Sequence, residues 1–341
     1  MDTKEFKMRA VVREWGKIVF KSLYDIPVCP SGNVRVHIKA AAINPVDYKA
    51  PKLIVGTGVG LDFSGVVESV GSGVDKFSFG DEVYGKVKGS LADYAIADPK
   101  EIAIKPKSIS FSEAAAMPIT YLTSLQALRD KGGLQKDGRL LIIGASGGCG
   151  IAAIQIAKSM GTGCIIAVCS GKNADLVKSH GADEVIDYTQ TDVLSYFRAS
   201  SSGSEIEEAL KFDVIYDAAS GSGAGENYKQ SSTQLLSSEG TNKKHGQYVA
   251  INGGLSMWLR NFTIGQKKNE HLFITDENTE DLNILTNLVD EGWKNENGEE
   301  KRLIPIVAKS FEFNAENLEK GFEQLKSRRV VGKIVFDMTN Q

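Results

Sequence analysis

Cysteine is scarce in this chain: four residues in 341, Cys29, Cys149, Cys164 and Cys169. None forms a C-x-x-C pair, and none has a histidine at metal-ligand spacing, which argues against a structural zinc lobe and a disulfide framework. So few thiols suit a reducing compartment. Histidine is equally thin, and His37, His180, His245 and His271 are too scattered to suggest a catalytic triad or a ligand set. An excess of positive charge is missing as well. Forty Lys and Arg against 43 Asp and Glu leave a formal charge of -3, without the basic footprint of a nucleic-acid binder. No apolar run approaches the ~20 residues that span a bilayer. The opening MDTKEFKMRAVV is charged and offers no apolar core of a secretory signal, so the cytosol is the expected compartment.

What is present fits an ordinary globular protein. Hydrophobic residues make up 42% and charged residues 24%, and the length suits two domains. From residue 8 to about 105 the chain runs in short β-like stretches (RAVV, VRVHIKAAAI, SGVVESVG, EVYGKV, LADYAIA) broken by Gly, Pro, Asn and Asp, a mostly β domain. A helix is expected from Ser112 as N-cap, broken at Pro118, with the domain junction near Leu122. From Arg139 six apolar strands (LLIIGA, CIIAVCS, EVID, DVIYDAA, QYVAING, HLFITD) alternate with helices, the pattern of a doubly wound parallel sheet. The tail adds a helix (LNILTNLVDEGW), a strand near LIPIVAKSF, a helix with Leu318, Phe322 and Leu325 on one face, and a last strand KIVFD. It is too long to extend the sheet and is expected to return to the first domain. The expected domains are 1–122 with 277–341, and 123–276.

The strongest local signal is LLIIGASGGCGIAAIQIAKSMG, where Ala145, Gly147 and Gly150 form an A-x-G-x-x-G turn between strand and helix. Small residues permit the tight turn, the backbone at Ser146, Gly147, Gly148 and Cys149 can approach a pyrophosphate, and Gly150 lets the helix pack on the strand. A glycine triplet alone reads equally as a sharp βα turn, but six strand-helix elements in the right order favour dinucleotide binding. About 20 residues on, where an NAD site places Asp or Glu, stand Cys169, Ser170, Gly171, Lys172 and Asn173. No carboxylate in that run repels a 2′-phosphate, while a hydroxyl and an ammonium can bind it, so NADPH is the expected cofactor. The plainer reading makes Lys172 a solvated helix-start lysine. Cys149 reads as a small packing residue rather than a redox group.

The runs INPVDYK (43–49), VGLDFSGVVESVGSGVDKFSFGDEVYG (59–85), EAAAMPITYLTSLQAL (113–128), GASGGCG (144–150), HGADEVIDY (180–188) and GKIVFD (332–337) occur in an order that resembles the zinc-free quinone oxidoreductase branch of the medium-chain dehydrogenase/reductase superfamily. The chain looks similar to zeta-crystallin-like proteins and chloroplast envelope quinone oxidoreductase homologues. The resemblance covers nearly the whole chain and implies a GroES-like catalytic domain, a Rossmann NADPH domain and an active-site cleft between them. Zinc-dependent members carry Cys where this chain has Asn44, and Gly-His-Glu where it has Gly60, Leu61 and Asp62, so no metal is expected. Hydride transfer to a quinone or an α,β-unsaturated carbonyl then replaces Lewis-acid chemistry.

The same resemblance implies that Asn44 and Asp47 shape the cleft floor, and that Tyr48 and Lys49 lie near the nicotinamide ribose, where either could polarise an acceptor oxygen or relay a proton. Asn44, Pro45 and Asp47 would also suit a simple turn. Several quinone reductases have Tyr where this chain has Lys49, so their tyrosine relay does not transfer to that position. Thr123 matches a threonine touching nicotinamide, or is an ordinary helix-start threonine. Tyr188 matches a side chain beside the adenosine, or is a strand-end tyrosine. Ser220 and Lys333 match positions approaching the cofactor. The segment APKLIVGTGVG is shorter than in many relatives, and Gly56, Gly58 and Gly60 are expected to make it mobile and the pocket open. The leading function is NADPH:quinone reductase. A 2-alkenal, enone or enoyl-thioester reductase is the enzymatic alternative, and an NADPH-binding protein with little turnover the non-enzymatic one. The apolar strand HLFITD would be an open sheet edge in a monomer, so a homodimer is expected.

Overall fold

The computed structural model describes residues 7–50, 52, 56–201, 206–220, 228–238, 245–252, 268–272 and 274–339. The chain divides into two compact units: Met1–Leu122 with Glu277–Gly292 and Ile304–Gln341, and Thr123–Asp276 with Trp293–Leu303.

In chain order the first unit begins with β1 (Lys7–Glu14), β2 (Lys17–Asp25), β3 (Val34–Ile43), the short helix α1 (Pro45–Lys49), β4 (Asp62–Val70), β5 (Glu82–Lys86), β6 (Tyr94–Ala97) and β7 (Ile102–Ile104). Helix α2 (Phe111–Ala115) follows, and α3 (Pro118–Gln126) carries the chain into the second unit, loosening into a π-helical turn over Ala127–Lys131. Along β3, Val34, Val36 and Ile38 alternate with less buried Arg35, His37 and Lys39, as a half-covered antiparallel strand should. The chain then switches to a run buried throughout, Ala40–Ile43.

The cap of α2 is Ser110 rather than the expected Ser112. Ser110 Oγ accepts the Glu113 N–H at 3.3 Å and Glu113 Oε2 accepts the Ser110 N–H at 2.8 Å, a reciprocal S-x-x-E box that Ser112 cannot form. Pro118 opens α3, where its missing N–H costs nothing.

The second unit contains β8 (Arg139–Ile143), α4 (Gly148–Ser159), β9 (Cys164–Cys169), α5 (Ala174–Ser179), β10 (Glu184–Asp187), α6 (Val193–Ala199), β11 (Val214–Asp217), α7 (Tyr228–Ser232), β12 (Gln247–Ala250) and β13 (Glu270–Leu272). Its six-stranded sheet runs β10-β9-β8-β11-β12-β13, every pair parallel, with the order reversing at β8. Leu140 to Ile143 are fully buried because helices cover both faces of such a sheet. This is the expected doubly wound Rossmann arrangement. Residues 202–205 and 221–227, and Phe273 within HLFITD, lie outside the described residues.

The tail supplies α8 (Thr279–Asp290), a small hairpin β14–β15 (Trp293–Lys294, Glu300–Lys301), β16 (Val307–Glu312), α9 (Ala315–Lys326) and β17 (Lys333–Asp337). The hairpin groups with the second unit. Strands β16 and β17 complete the first unit's sheet, ordered β16-β17-β3-β4-β5-β7, with β6 also on β3. Leu318 and Phe322 of α9 pack into that core. Helix α8 is anchored there by the buried Tyr84 hydroxyl, which donates to the Leu282 carbonyl at 2.7 Å.

Candidate active site

In the second unit the polypeptide turns from β8 into α4 over Gly144–Gly148. Gly144 has φ +81, a conformation few L-residues adopt without cost. The Gly147 N–H bonds the Gly144 carbonyl at 3.1 Å, which tightens the turn. A Cβ on Gly150 would lie 2.4 Å from the Gly144 carbonyl oxygen and 2.5 Å from Ala145 Cα, so only glycine lets α4 approach its strand. At Gly147 a Cβ would meet nothing nearer than 3.5 Å within the protein. Hence the fold itself demands Gly150 but not Gly147. Gly148, Cys149 and Gly150 form the first turn of a 12-residue helix whose N-cap, Gly147, offers no side-chain cap, and the helix dipole adds positive potential there. That is a cradle suited to a pyrophosphate.

Beside it, Asn173 Nδ2 donates to Ser146 Oγ at 3.0 Å, so two of the expected cofactor residues meet across 27 positions. The Asn173 N–H closes a turn on the Ser170 carbonyl at 2.9 Å, and the Lys172 side chain is exposed at the apex. One carboxylate not anticipated from this run stands here: Asp187, at the end of β10 beside β9. A Cβ on Gly171 would lie 2.4 Å from its Oδ2. Hydrogen bonds from the Thr189 hydroxyl and N–H hold the Asp187 carboxyl below its ordinary range, so it is charged. Tyr188, next in sequence, is half exposed.

Ser220 is buried. Its N–H donates to Asp217 Oδ1 at 2.8 Å and its hydroxyl accepts the Tyr228 N–H at 3.1 Å. Asp217 Oδ2 also accepts the Tyr248 hydroxyl, whose pKa is pushed up by burial and then by the Asp217 charge. Thr123 is not at a helix start but in the middle of α3, and its hydroxyl pairs with that of Thr275. Its neighbour Ser124 donates to the Cys149 carbonyl at 2.8 Å, tying α3 to the glycine turn. All four cysteines are free, and burial pushes the Cys169 thiol up to about 11, away from redox reactivity.

In the first unit a second cluster is built entirely of side chains. Asn44 and Asp62 are buried, as is Lys333. The Lys333 ammonium donates to Asn44 Oδ1 at 2.5 Å, Asp62 Oδ2 at 2.9 Å and the Ile43 carbonyl at 3.2 Å. Asn44 Nδ2 donates to Asp62 Oδ2 at 2.8 Å, and Asp62 Oδ1 accepts the Ile119 N–H at the start of α3 at 2.9 Å. Lys333 was expected at the cofactor, but its three N–H groups all have acceptors within this unit and none remains for a dinucleotide.

Asp47, three residues after Asn44, accepts the Asn44 N–H on Oδ2 at 2.7 Å, while its buried Oδ1 has no partner. Burial raises its carboxyl to about 7, with Asp62 pushing the same way against the Asn44 N–H, Lys333 and Arg13. Tyr48 and Lys49 point away from this cluster. The Tyr48 ring stands edge-on to Phe322 at 6.5 Å, with the ammonium groups of Lys326 at 5.6 Å and Lys49 at 5.9 Å from its centroid. Partial burial raises the Tyr48 phenol, so it keeps its proton at neutral pH and can donate.

The described glycines after Lys49 are tied into the first unit. Arg13 donates to the Gly58 carbonyl at 2.7 Å and to the Asp47 carbonyl, and its N–H bonds the Thr57 carbonyl at 2.8 Å. A Cβ on Gly58 would fall 2.6 Å from Gly89 Cα, so this glycine serves close backbone packing. Pro51 and residues 53–55 lie outside the described residues. Among the described residues no three His, Cys, Asp or Glu side chains gather as a metal site would require. Asp62, Arg13 and Asp187 are the participants that sequence reasoning did not single out. Asp62 carried a signal, a carboxylate between Leu61 and Phe63 in an otherwise apolar run.

Two family models match the chain: a zinc-binding dehydrogenase model over residues 180–336 and an alcohol dehydrogenase GroES-like domain model over residues 30–107. The chain is 31% identical over 330 residues to 2-methylene-furan-3-one reductase of Solanum lycopersicum, covering 91% of this chain and 73% of that protein. It is 31% identical over 288 residues to the chloroplast envelope quinone oxidoreductase homolog of Arabidopsis thaliana, covering 78% of this chain and 81% of that protein. The solved quinone oxidoreductase of Coxiella burnetii superposes with a TM-score of 0.76 at 25% identity, covering 97% of this chain and 99% of that one.

Proposed function

Because the chain belongs to the medium-chain dehydrogenase/reductase superfamily, in its quinone oxidoreductase branch, we propose that it is an NADPH-dependent reductase of quinones that works without a metal. The observation that carries this reading is the β8–α4 turn. In a chain of this family, Gly147 leaves its Cβ position clear to 3.5 Å at the start of α4, and Lys172 is exposed in the short helical turn whose Asn173 bonds Ser146.

The second unit is the cofactor domain and the first the catalytic domain. The first turn of α4, Gly148 to Gly150, would hold the pyrophosphate through its backbone, with Gly147 leaving the space for it; Ser146 and Asn173 brace the turn, and Ser170 and Lys172 would take the 2′-phosphate. Tyr188 lines the adenosine, and Thr123 and Ser220 approach the nicotinamide end. Reduced nicotinamide supplies one hydride. With that hydride and one proton a quinone would become the hydroquinone, and the Tyr48 hydroxyl, or the Lys49 ammonium, would donate toward the acceptor oxygen as charge develops on it. Asn44 and Asp47 set the position of α1, which carries both residues.

A second reading, reduction of a conjugated C=C bond, is favoured by the similarity to 2-methylene-furan-3-one reductase over 91% of the chain. Steady-state oxidation of NADPH with a benzoquinone, a naphthoquinone, acrolein and a 2-hexenal separates them. Quinone preference is the expected outcome. Preference for enals establishes the second reading, and tight NADPH binding without turnover overturns both in favour of a cofactor-binding role. The protein is further proposed to act in the cytosol as a homodimer. Strand β13 is the outer strand of its sheet and Ile274 just beyond it is 71% exposed, an apolar edge that a second copy would cover. A monomeric mass in sedimentation at micromolar concentration would refute this.

A further inference from the structure

Three oxygens meet at one interior point of the first unit: Asn44 Oδ1, Asp62 Oδ2 and the Ile43 carbonyl, at 2.5, 2.9 and 3.2 Å from Lys333 Nζ. They come from the end of β3, the residue capping α1 and the start of β4. The ammonium enters from a fourth element, β17, whose first residue is Lys333. Its approach is itself built. Gly332 turns with φ +83, where a Cβ would lie 2.5 Å from the Ile306 carbonyl, and the Lys333 N–H donates to that same carbonyl at 2.9 Å.

The electrostatics make the cation obligatory. Asp62 is fully buried, and a carboxylate without a partner there would be strongly disfavoured. Its two oxygens divide the work. Oδ2 takes the ammonium and the Asn44 amide, while Oδ1 takes the Ile119 N–H in the first turn of α3. Removing the charge therefore frees α1, α3 and β17 from one another at a single point.

We infer that this cluster is an internal monocation site with the Lys333 ammonium as its resident ion, and that Asp62 and Lys333 are positioning residues that set α1 for the reaction. The inference rests on the proposed function, in which α1 presents Tyr48 and Lys49 to the acceptor. All three N–H groups are used inside the protein, so the ammonium does not touch substrate. It acts by holding Asn44, and through it the first turn of α1, where Asp47 accepts the Asn44 N–H.

Lys333→Ala removes the propylammonium portion of the side chain and leaves the three oxygens in place, so n-propylammonium is the probe. Two readouts are taken on the full-length protein. The expected results are a lowered Tm, restored by n-propylammonium and not by tetramethylammonium at equal ionic strength, and a kcat reduced about tenfold or more, restored in the same way, with the KM for NADPH little changed. Equal responses to the two ions, or a variant with unaltered Tm and kcat, would overturn the inference. Should Lys333→Ala fail to fold, the charge-neutral pair Asp62→Asn with Lys333→Met replaces it. That pair is expected to fold with reduced kcat, and wild-type kcat in it overturns the positioning role. The Tm response needs no turnover, so rescue of stability in a protein that reduces neither quinones nor enones upholds the cation site while rejecting the proposed function.

Discussion

At the glycine turn of the second unit the backbone packs closely, and its residues matter for the side chains they lack. In the Asn44–Asp62–Lys333 cluster of the first unit every polar atom belongs to a side chain or carbonyl already committed to a neighbour. The first is shaped by the space its residues leave, the second by the internal satisfaction of charge.

The comparison can be broken most forcefully at Asp62. Asp62→Asn leaves a buried ammonium without its counter-ion, and the loss of stability should be about 3–5 kcal/mol, read from chemical denaturation. A loss near zero would mean that water already compensates the charge. Next comes Gly150→Ala, where backbone atoms at 2.4 and 2.5 Å cannot yield easily, and the expected cost is about 1–3 kcal/mol together with weakened NADPH binding. Gly147→Ala sharpens the point: its Cβ fits the protein, so stability should stay within about 0.5 kcal/mol while the KM for NADPH rises. If both alanine variants bind NADPH normally, the turn is only a turn.

Lys172→Glu should lower the ratio of kcat/KM with NADPH to that with NADH by about tenfold, the effect of losing a charge-assisted bond to phosphate and adding repulsion. An unchanged ratio would shift attention to Ser170, and Asp187 would then be the residue governing cofactor choice. The smallest effect concerns Asp47. Its carboxyl holds its proton up to about 7 in the folded protein, above the ordinary value of 3.8. Between those values the folded chain binds a proton that the unfolded chain has released, so stability falls as pH rises from about 4 to about 7. Asp47→Asn cannot ionise. Its Tm should therefore gain on the wild type by a few degrees between about pH 5 and about pH 8, and a constant difference would show that Asp47 is ionised throughout.

Much of the second unit was readable beforehand because its chemistry is local. Apolar runs alternating with helices, and an A-x-G-x-x-G spacing, lie in consecutive residues, and a parallel sheet imposes that pattern on any chain that forms it. The Ser110–Glu113 box was equally readable, yet Ser112 drew attention because it sits nearer the apolar run. Gly58 has a role that the expectation of mobility did not include. Glycine serves close packing as well as freedom, and what Gly58 packs against, Gly89, lies 31 positions away.

By itself, then, the sequence determined the two-domain plan, the glycine turn, the scarcity of cysteine and histidine and the family to which the chain belongs, since each depends on residue type at short spacing. Only the tertiary structure decided that residues 44, 62 and 333 meet, that Lys333 faces inward and that Asp187 stands beside Gly171. Those facts depend on which strands pair, and pairing of β17 with β3 across some 290 positions is decided by burial of a shared core, which no short stretch of sequence encodes.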